Sequence, residues 1–341
     1  MPTNIERVRM MEDRRSATVN QDGGVKEPMR ESIVYLRGGF VPASQAKLNI
    51  YDYGIVLGAT ITDQLRTFRH KPFRLEEHVV RLFESARYAR LALPLSRQET
   101  VAKTQELIRE NSALLAPGDD LGVVFFLTAG ENLAYAGSAT GFEPREPTFC
   151  IHSFRLPFEA YRRFFTEGLH LVTPSTRHVP SQCLDQKIKH RSRLHWWIAE
   201  KEAQLVDSSA VPLLLDLQGN LTECSGANML LVKNGVVYSP AANNILRGTS
   251  RGLVAELCAD LGIPFESCDL QLHDAINADE IFLTTTPYCM APVTRINGLA
   301  VNDGAAGGPL FERILSAWSR HVGVDIRGQV LGLDGGAEGA A

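Results

Sequence analysis

Residues 228–239, NMLLVKNGVVYS, set two apolar runs on either side of an Asn234-Gly235 pair. A two-residue hairpin turn needs positive φ at both positions, which Asn and Gly adopt cheaply, so the stretch predicts two short antiparallel strands. Asn297-Gly298 repeats the signal, and IVYLRGGFVP predicts a further hairpin centred on Gly38-Gly39. AVPLLLD, LGVVFFLTAG and EIFLTTT read as additional short strands, and residues 49–73 read as paired strands. Hairpins of this kind, mixed with scattered helices, point to an α+β chain rather than regular βαβ winding.

The helices announce themselves by period and caps. Leu75, Val79, Leu82, Phe83 and Ala86 fall on one stripe, Ser96 and Glu99 form a capping-box pattern that opens a helix running to about Leu115, and Leu253, Leu257 and Leu261 line up ahead of a stop at Gly262. At 341 residues the chain is long enough for two domains. The expected division is an extension over 1–31, a small domain over 32–154, an aromatic and basic connection over 155–168, a large domain over 169–328 and a tail over 329–341.

A net charge of −4 argues against a nucleic-acid or membrane-surface partner, since no long-range positive field is available. No apolar run is long enough for a membrane span, and the first residues lack the apolar core of a signal peptide. The six cysteines are scattered without C-x-x-C pairs or Cys/His spacing, so they are read as reduced thiols of a cytoplasmic protein, with no metal site. No phosphate loop or dinucleotide-binding glycine motif is present.

Four segments carry chemistry. Lys187 and Lys189 lie in QKIKHRSRLHWW, ahead of a helix expected from about Ser192; if DQKIK is a strand, both lysines share a face. They form either a solvated basic edge or a nucleophile whose pKa is lowered by His190, Arg191 and Arg193. Glu223 sits among small residues before an apolar strand, where a partly buried carboxylate would suit a protonated heterocyclic nitrogen. Gly248, Thr249 and Ser250 open a helix, either as a cap or as a phosphate site. Residues 284–287, TTTP, end an apolar strand with hydroxyl donors.

In this order the motifs DYGIVLGA, FRLEEHVVRL, KIKHRSRL, LTECSGAN, ILRGTSRG and ADEIFLTTT resemble those of the class IV aminotransferases, over roughly residues 33–325. The resemblance implies pyridoxal phosphate (PLP) fold type IV, a small α/β domain plus a larger pseudo-barrel α+β domain, with a homodimer as the usual assembly. It implies Lys189 as the lysine that bonds the cofactor, by its spacing from Glu202-Ala203, and leaves Lys187 as an ordinary neighbour. Glu223 matches the acid on the pyridine nitrogen, while Arg81, Gly248, Thr249 and Thr286 match the phosphate contacts. Trp196 and Trp197 are expected to pack as the following helix enters the core.

The implied activity is transfer of an amino group between an amino acid, branched-chain type first, and a 2-oxo acid. The substrate half departs from the family pattern: Thr62-Asp63 stand where an aromatic and a glutamate are usual, Ala129 where D-amino acid enzymes have an arginine, and Pro287 where a backbone N–H is expected. A PLP lyase resembling aminodeoxychorismate lyase is the alternative, since Lys189-His190 and Arg193-Leu194 match its pattern. A D-amino acid or amine transaminase is a further alternative, and a lapsed enzyme whose KIKHRSR serves as a binding patch is the non-enzymatic one.

Overall fold

The computed structural model describes residues 31–132, 134 and 146–333. Nearly all of the expected N-terminal extension, and the expected tail from 334 onward, lie outside the described residues. The chain divides into two compact units, one running to Arg155 and adding His190–Ser192, the other formed by Leu156–Lys189 and everything from Arg193.

The first unit is a six-stranded sheet in the order β2-β1-β6-β5-β3-β4. Its strands are β1 (Ile33–Leu36), β2 (Gly39–Pro42), β3 (Thr60–Phe68), β4 (Lys71–Pro72), β5 (Leu121–Thr128) and β6 (Phe149–Arg155), and all its pairings are antiparallel. A one-turn helix α1 (Tyr53–Val56) precedes β3, and α2 (Leu75–Tyr88) and α3 (Arg97–Ser112) follow β4. Leu75, Val79, Leu82 and Ala86 of α2 enter one core with Leu65, Phe125 and Ile151, as their stripe predicts, while Phe83 packs partly buried beside them. Ser96 and Glu99 form the reciprocal capping box.

Two local expectations change. The first hairpin turns on Arg37-Gly38, both at positive φ, and Gly39 already pairs with Leu36. Residues 49–59 are not a strand, because the Asp52 carboxylate accepts from Gly54 N at 2.7 Å and starts α1 instead. The β3–β4 turn holds Arg69 and His70 at positive φ without a glycine. The Asp120 carboxylate stabilises this turn by accepting from both of their N–H groups and from the Thr67 hydroxyl.

The second unit contains β7 (Leu169–Val172), β8 (Val211–Leu215), β9 (Leu221–Cys224), β10 (Ala227–Lys233), β11 (Val236–Pro240), β12 (Phe265–Cys268), β13 (Glu280–Thr285), β14 (Cys289–Ile296) and β15 (Leu299–Ala300). Because β9 pairs with both β8 and β10, the path β10-β13-β14-β7-β8-β9 closes into a barrel-like ring. Leu171, Leu213, Met229, Leu231, Leu283 and Val293 fill one of its faces. The Asn234-Gly235 and Asn297-Gly298 turns stand where the sequence puts them.

Helices α4 (Phe158–Thr166), α5 (Leu194–Gln204), α6 (Thr249–Asp260), α7 (Leu272–Ile276), α8 (Pro309–Val322) and α9 (Ile326–Leu331) complete this unit. The segment expected as a connection over 155–168 is largely α4, which buries Phe158 and Phe165. The expected tail begins inside α9, where Gln329 and Val330 are buried. Trp196 is buried in α5, but Trp197, one position round the helix, is exposed.

Glu280, buried on β13, accepts from Leu310 N at 2.9 Å and Phe311 N at 2.8 Å, and so anchors the first turn of α8 to the barrel. Glu280→Ala leaves these two donors without their acceptor and is expected to lower stability by about 1–3 kcal/mol. Chemical denaturation of the two proteins checks this, with Glu280→Gln losing less.

Candidate active site

Glu223 lies on β9, the strand that closes the ring, and hydrogen-bonded register pairs it with Asn228 on β10, which pairs in turn with Thr284 on β13. These three polar residues form one row across three strands. The Glu223 side chain is 15% exposed, so its carboxylate is mostly out of water yet reachable. Its Oε2 accepts from Asn228 Nδ2 at 3.1 Å and from Leu246 N at 3.0 Å. Its Oε1 lies 3.8 Å from His178 Nε2. His178 Nδ1 donates to Val179 O at 3.2 Å, and since a carbonyl only accepts, this nitrogen carries the proton.

Cationic and aromatic groups surround the acid. The His178 ring packs edge-on against Trp196 at 5.6 Å. The Arg193 guanidinium lies 5.5 Å from the Trp196 ring. Burial pulls the Arg193 pKa down, and the neighbouring charges of Glu223 and Glu200 oppose that pull. Glu200 accepts from the Ser225 hydroxyl at the β9–β10 turn.

Gly248 and Thr249 begin α6, with Gly248, which has no side chain of its own to cap the helix, as its N-cap. The N–H groups of such a first turn, together with the helix dipole, favour an anion. Gly248 cannot be another residue without rearrangement, since a Cβ there would stand 2.1 Å from Asn228 Oδ1. Thr286 occupies the turn that follows β13. Its neighbour Thr285 donates to Gly226 O at 2.6 Å, tying that turn to the β9–β10 hairpin. Glu223, Gly248, Thr249 and Thr286 thus converge on one end of the β9, β10 and β13 strands.

Lys189 ends a loop of turns rather than the strand considered for DQKIK, and it is partly buried. The loop is pinned by Gln186, whose buried amide donates to Val179 O and Leu184 O, both at 2.7 Å. Lys187 is exposed and pairs with Asp185 at 3.1 Å, an ordinary surface contact. The next helix starts at Leu194, two residues later than expected. Its Glu202 accepts from Thr176 N and Thr176 Oγ1, bracing the stretch of chain that leads into His178.

Arg81 belongs to the first unit. Its Nε and Nη2 grip the two oxygens of Asp63 at 2.8 Å each, and His78 Nδ1 meets Asp63 Oδ1 at 2.8 Å. Thr62 donates to Phe125 O and accepts from Arg191 Nε at 3.2 Å. His190–Ser192 line the edge of β3, with a bridge from His190 to Ile61 and Arg191 N donating to Thr60 O.

Three residues that matter here are not singled out by sequence reasoning: Asn228, His178 and Gln186. Asn228 carries a signal, being an amide inside an otherwise apolar strand, where a polar group needs built-in partners. His178 and Gln186 carry none, because the main-chain carbonyls of Val179 and Leu184 give no sign in the sequence and Glu223, the carboxylate near His178, is distant along the chain. The donor set fits PLP: a partly buried carboxylate for a protonated ring nitrogen, and a helix start whose cap must lack a side chain for an anion.

Burial alone would raise the Asp63 carboxyl, yet Arg81 and His78 hold it well below the usual carboxylate range. A depressed folded pKa gives stability that is fully present above the unfolded value of about 3.9 and lost as pH falls below it. Asp63→Asn is therefore expected to melt below wild type at neutral pH, with the gap narrowing under pH ~4. Thermal melts across pH measure it.

Residues 60–296 match the family model described as amino-transferase class IV. A putative branched-chain-amino-acid aminotransferase of Methanocaldococcus jannaschii is 30% identical over 279 residues, covering 80% of this chain and 91% of the relative. A D-alanine aminotransferase of Bacillus licheniformis is 26% identical over 285 residues, covering 83% and 95%. Among solved structures, a T.th. branched-chain amino acid aminotransferase complexed with N-(5′-phosphopyridoxyl)-L-glutamate aligns with a TM-score of 0.75 at 24% identity, covering 86% of this chain and 95% of that one. The architecture is fold type IV, with mixed α and β content and a pseudo-barrel.

Proposed function

We propose that this chain, which belongs to the class IV aminotransferase family, moves the amino group of branched-chain L-amino acids to a 2-oxo acid. It is a PLP-dependent transaminase, and amino acids and oxo acids are its substrates. The observation that carries the branched-chain reading is the 30% identity, over most of both chains, to a relative of that name. Ala129, in place of an arginine suited to a D-amino acid carboxylate, favours it over a D-specific reading.

PLP, when bound, supplies a ring that can accept the electrons released at the substrate Cα. In our reading Lys189 would hold the cofactor through its side-chain amine and, as a free amine, would carry the proton between the substrate Cα and the cofactor's C4′. Glu223 keeps the ring nitrogen protonated by offering it a fixed negative charge. That carboxylate is oriented by Asn228 and Leu246 N, so it meets its partner without reorganising. The first turn of α6 at Gly248 and Thr249, together with Thr286, receives the phosphate.

The chain also acts, in this reading, as a homodimer in the cytoplasm. All six cysteines are free thiols, which suits a reducing compartment. Leu194, Trp197 and Ile198, spaced i, i+3 and i+4 on α5, are 71%, 58% and 44% exposed, an apolar stripe that a second copy would cover. Light scattering is expected to give the dimer mass for wild type and to shift toward the monomer for Trp197→Glu; a monomeric wild type overturns the assembly.

For the activity, purified protein incubated with L-leucine and 2-oxoglutarate is expected to form glutamate. Lys189→Ala is expected to lose the cofactor absorbance band that shifts on adding an amine, and to lose activity by roughly 10²–10⁴-fold or more. A wild type that holds PLP but makes no glutamate from leucine, valine or isoleucine overturns the substrate assignment.

A further inference from the structure

Asn228 ties the acid end of the site to its anion end. Its side chain is buried, and Nδ2 donates both to Glu223 Oε2 at 3.1 Å and to Leu246 O at 3.0 Å. Leu246 N donates to that same Oε2 at 3.0 Å, which closes a ring of carboxylate, side-chain amide and main-chain peptide. Two residues later comes Gly248, the N-cap of α6, over which Asn228 Oδ1 sits 2.1 Å from where a Cβ would stand. One amide therefore contacts Glu223 with its nitrogen and the start of α6 with its oxygen.

We infer that Asn228 is a positioning residue that sets the spacing between the Glu223 carboxylate and the first turn of α6, and so matches the site to a ligand carrying a protonated ring nitrogen and a phosphate on one rigid frame. This rests on the reading that Glu223 and the Gly248–Thr249 turn hold those two groups of PLP. The physical reason is that one amide hydrogen goes to the carboxylate on β9 and the other to the loop that leads into α6. Remove the amide, and Glu223 Oε2 keeps only the Leu246 N–H, while the Leu246 carbonyl loses a donor and the loop leading to Gly248 is released from β10. A carboxylate and a helix start that drift independently can each bind their group, but not both on one rigid molecule at full strength.

The test uses the full chain freed of cofactor and three aldehydes: PLP, its analogue with carbon in place of the ring nitrogen, and pyridoxal, which lacks the phosphate. All three can bond Lys189, so the covalent contribution is common to them. Asn228→Ala is expected to weaken PLP binding by roughly tenfold to a hundredfold, as for a buried hydrogen bond to a charged group. The loss is expected to be smaller for each analogue, because neither engages both ends. Asn228→Asp, which keeps the shape but places a second carboxylate against Glu223, is expected to show the same ranking.

An equal loss for all three probes means that the residue only supports the fold, and it overturns the inference, as does PLP binding by both variants at wild-type strength. Should Asn228→Ala fail to fold, Gly248→Ala disturbs the same contact from the helix side and is expected to give the same ranking of probes. A wild type that does not bind PLP defeats the underlying reading instead, and the two failures are thereby distinct.

Discussion

Closure of the barrel by β9 is the constraint from which the site follows. The strand is four residues long, and it pairs with β8 on one side and β10 on the other. A short strand held on both edges has no edge left to fray, and its register is set by the tight Ser225-Gly226 turn into β10. Glu223 is one residue from the end of that strand, so its backbone position is determined by ladders rather than by a loop. The row from Glu223 through Asn228 to Thr284 then extends the same register to β13, whose final turn carries Thr286.

The lysine proposed to bond the cofactor is fixed by other means. Lys189 has no strand or helix of its own; upstream, Gln186 fastens the loop to two carbonyls, and downstream, His190–Ser192 join the edge of β3. The backbone is thus held on both flanks of this position. A fixed backbone suits the role proposed for Lys189, which alternates between a covalent bond and proton transfer. The basic cluster around it is divided by surroundings: Lys187 pairs with Asp185 in solvent, whereas Arg193 is buried beside Trp196 and feels Glu223 and Glu200.

Much of this is legible in the sequence, and the departures have physical reasons. Asn234-Gly235, the α2 stripe and the Ser96 capping box are local signals with local causes, and each stands where it is read. The Arg37-Gly38 turn lies one residue from its expected place because an arginine at positive φ gives no sign in composition. The α1 turn reads as strand because a single buried Asp52, held by the Thr148 hydroxyl 96 residues away, decides the conformation there. Likewise α4 looks like a linker, since its aromatic faces are claimed by the second unit and not by a regular period. Glu223, Gly248 and Thr249 can be named from their motifs, but the amide that links them cannot, as Asn228 acts through a contact 20 residues along the chain.

The first unit shows the same logic in charge rather than in register. An ionised carboxylate as fully buried as Asp63 is costly unless its lone pairs are met, and here Arg81 meets both oxygens while His78 adds a third contact. The consequence runs in the other direction too. A guanidinium gripped along its Nε and Nη2 edge is held in a fixed plane. Asp63 is thus not a weakened version of the glutamate more usual at its place. Being one methylene shorter and sealed from water, it draws Arg81 and His78 of α2 onto β3, and the direction of Arg81 becomes a property of the core packing between that helix and that strand.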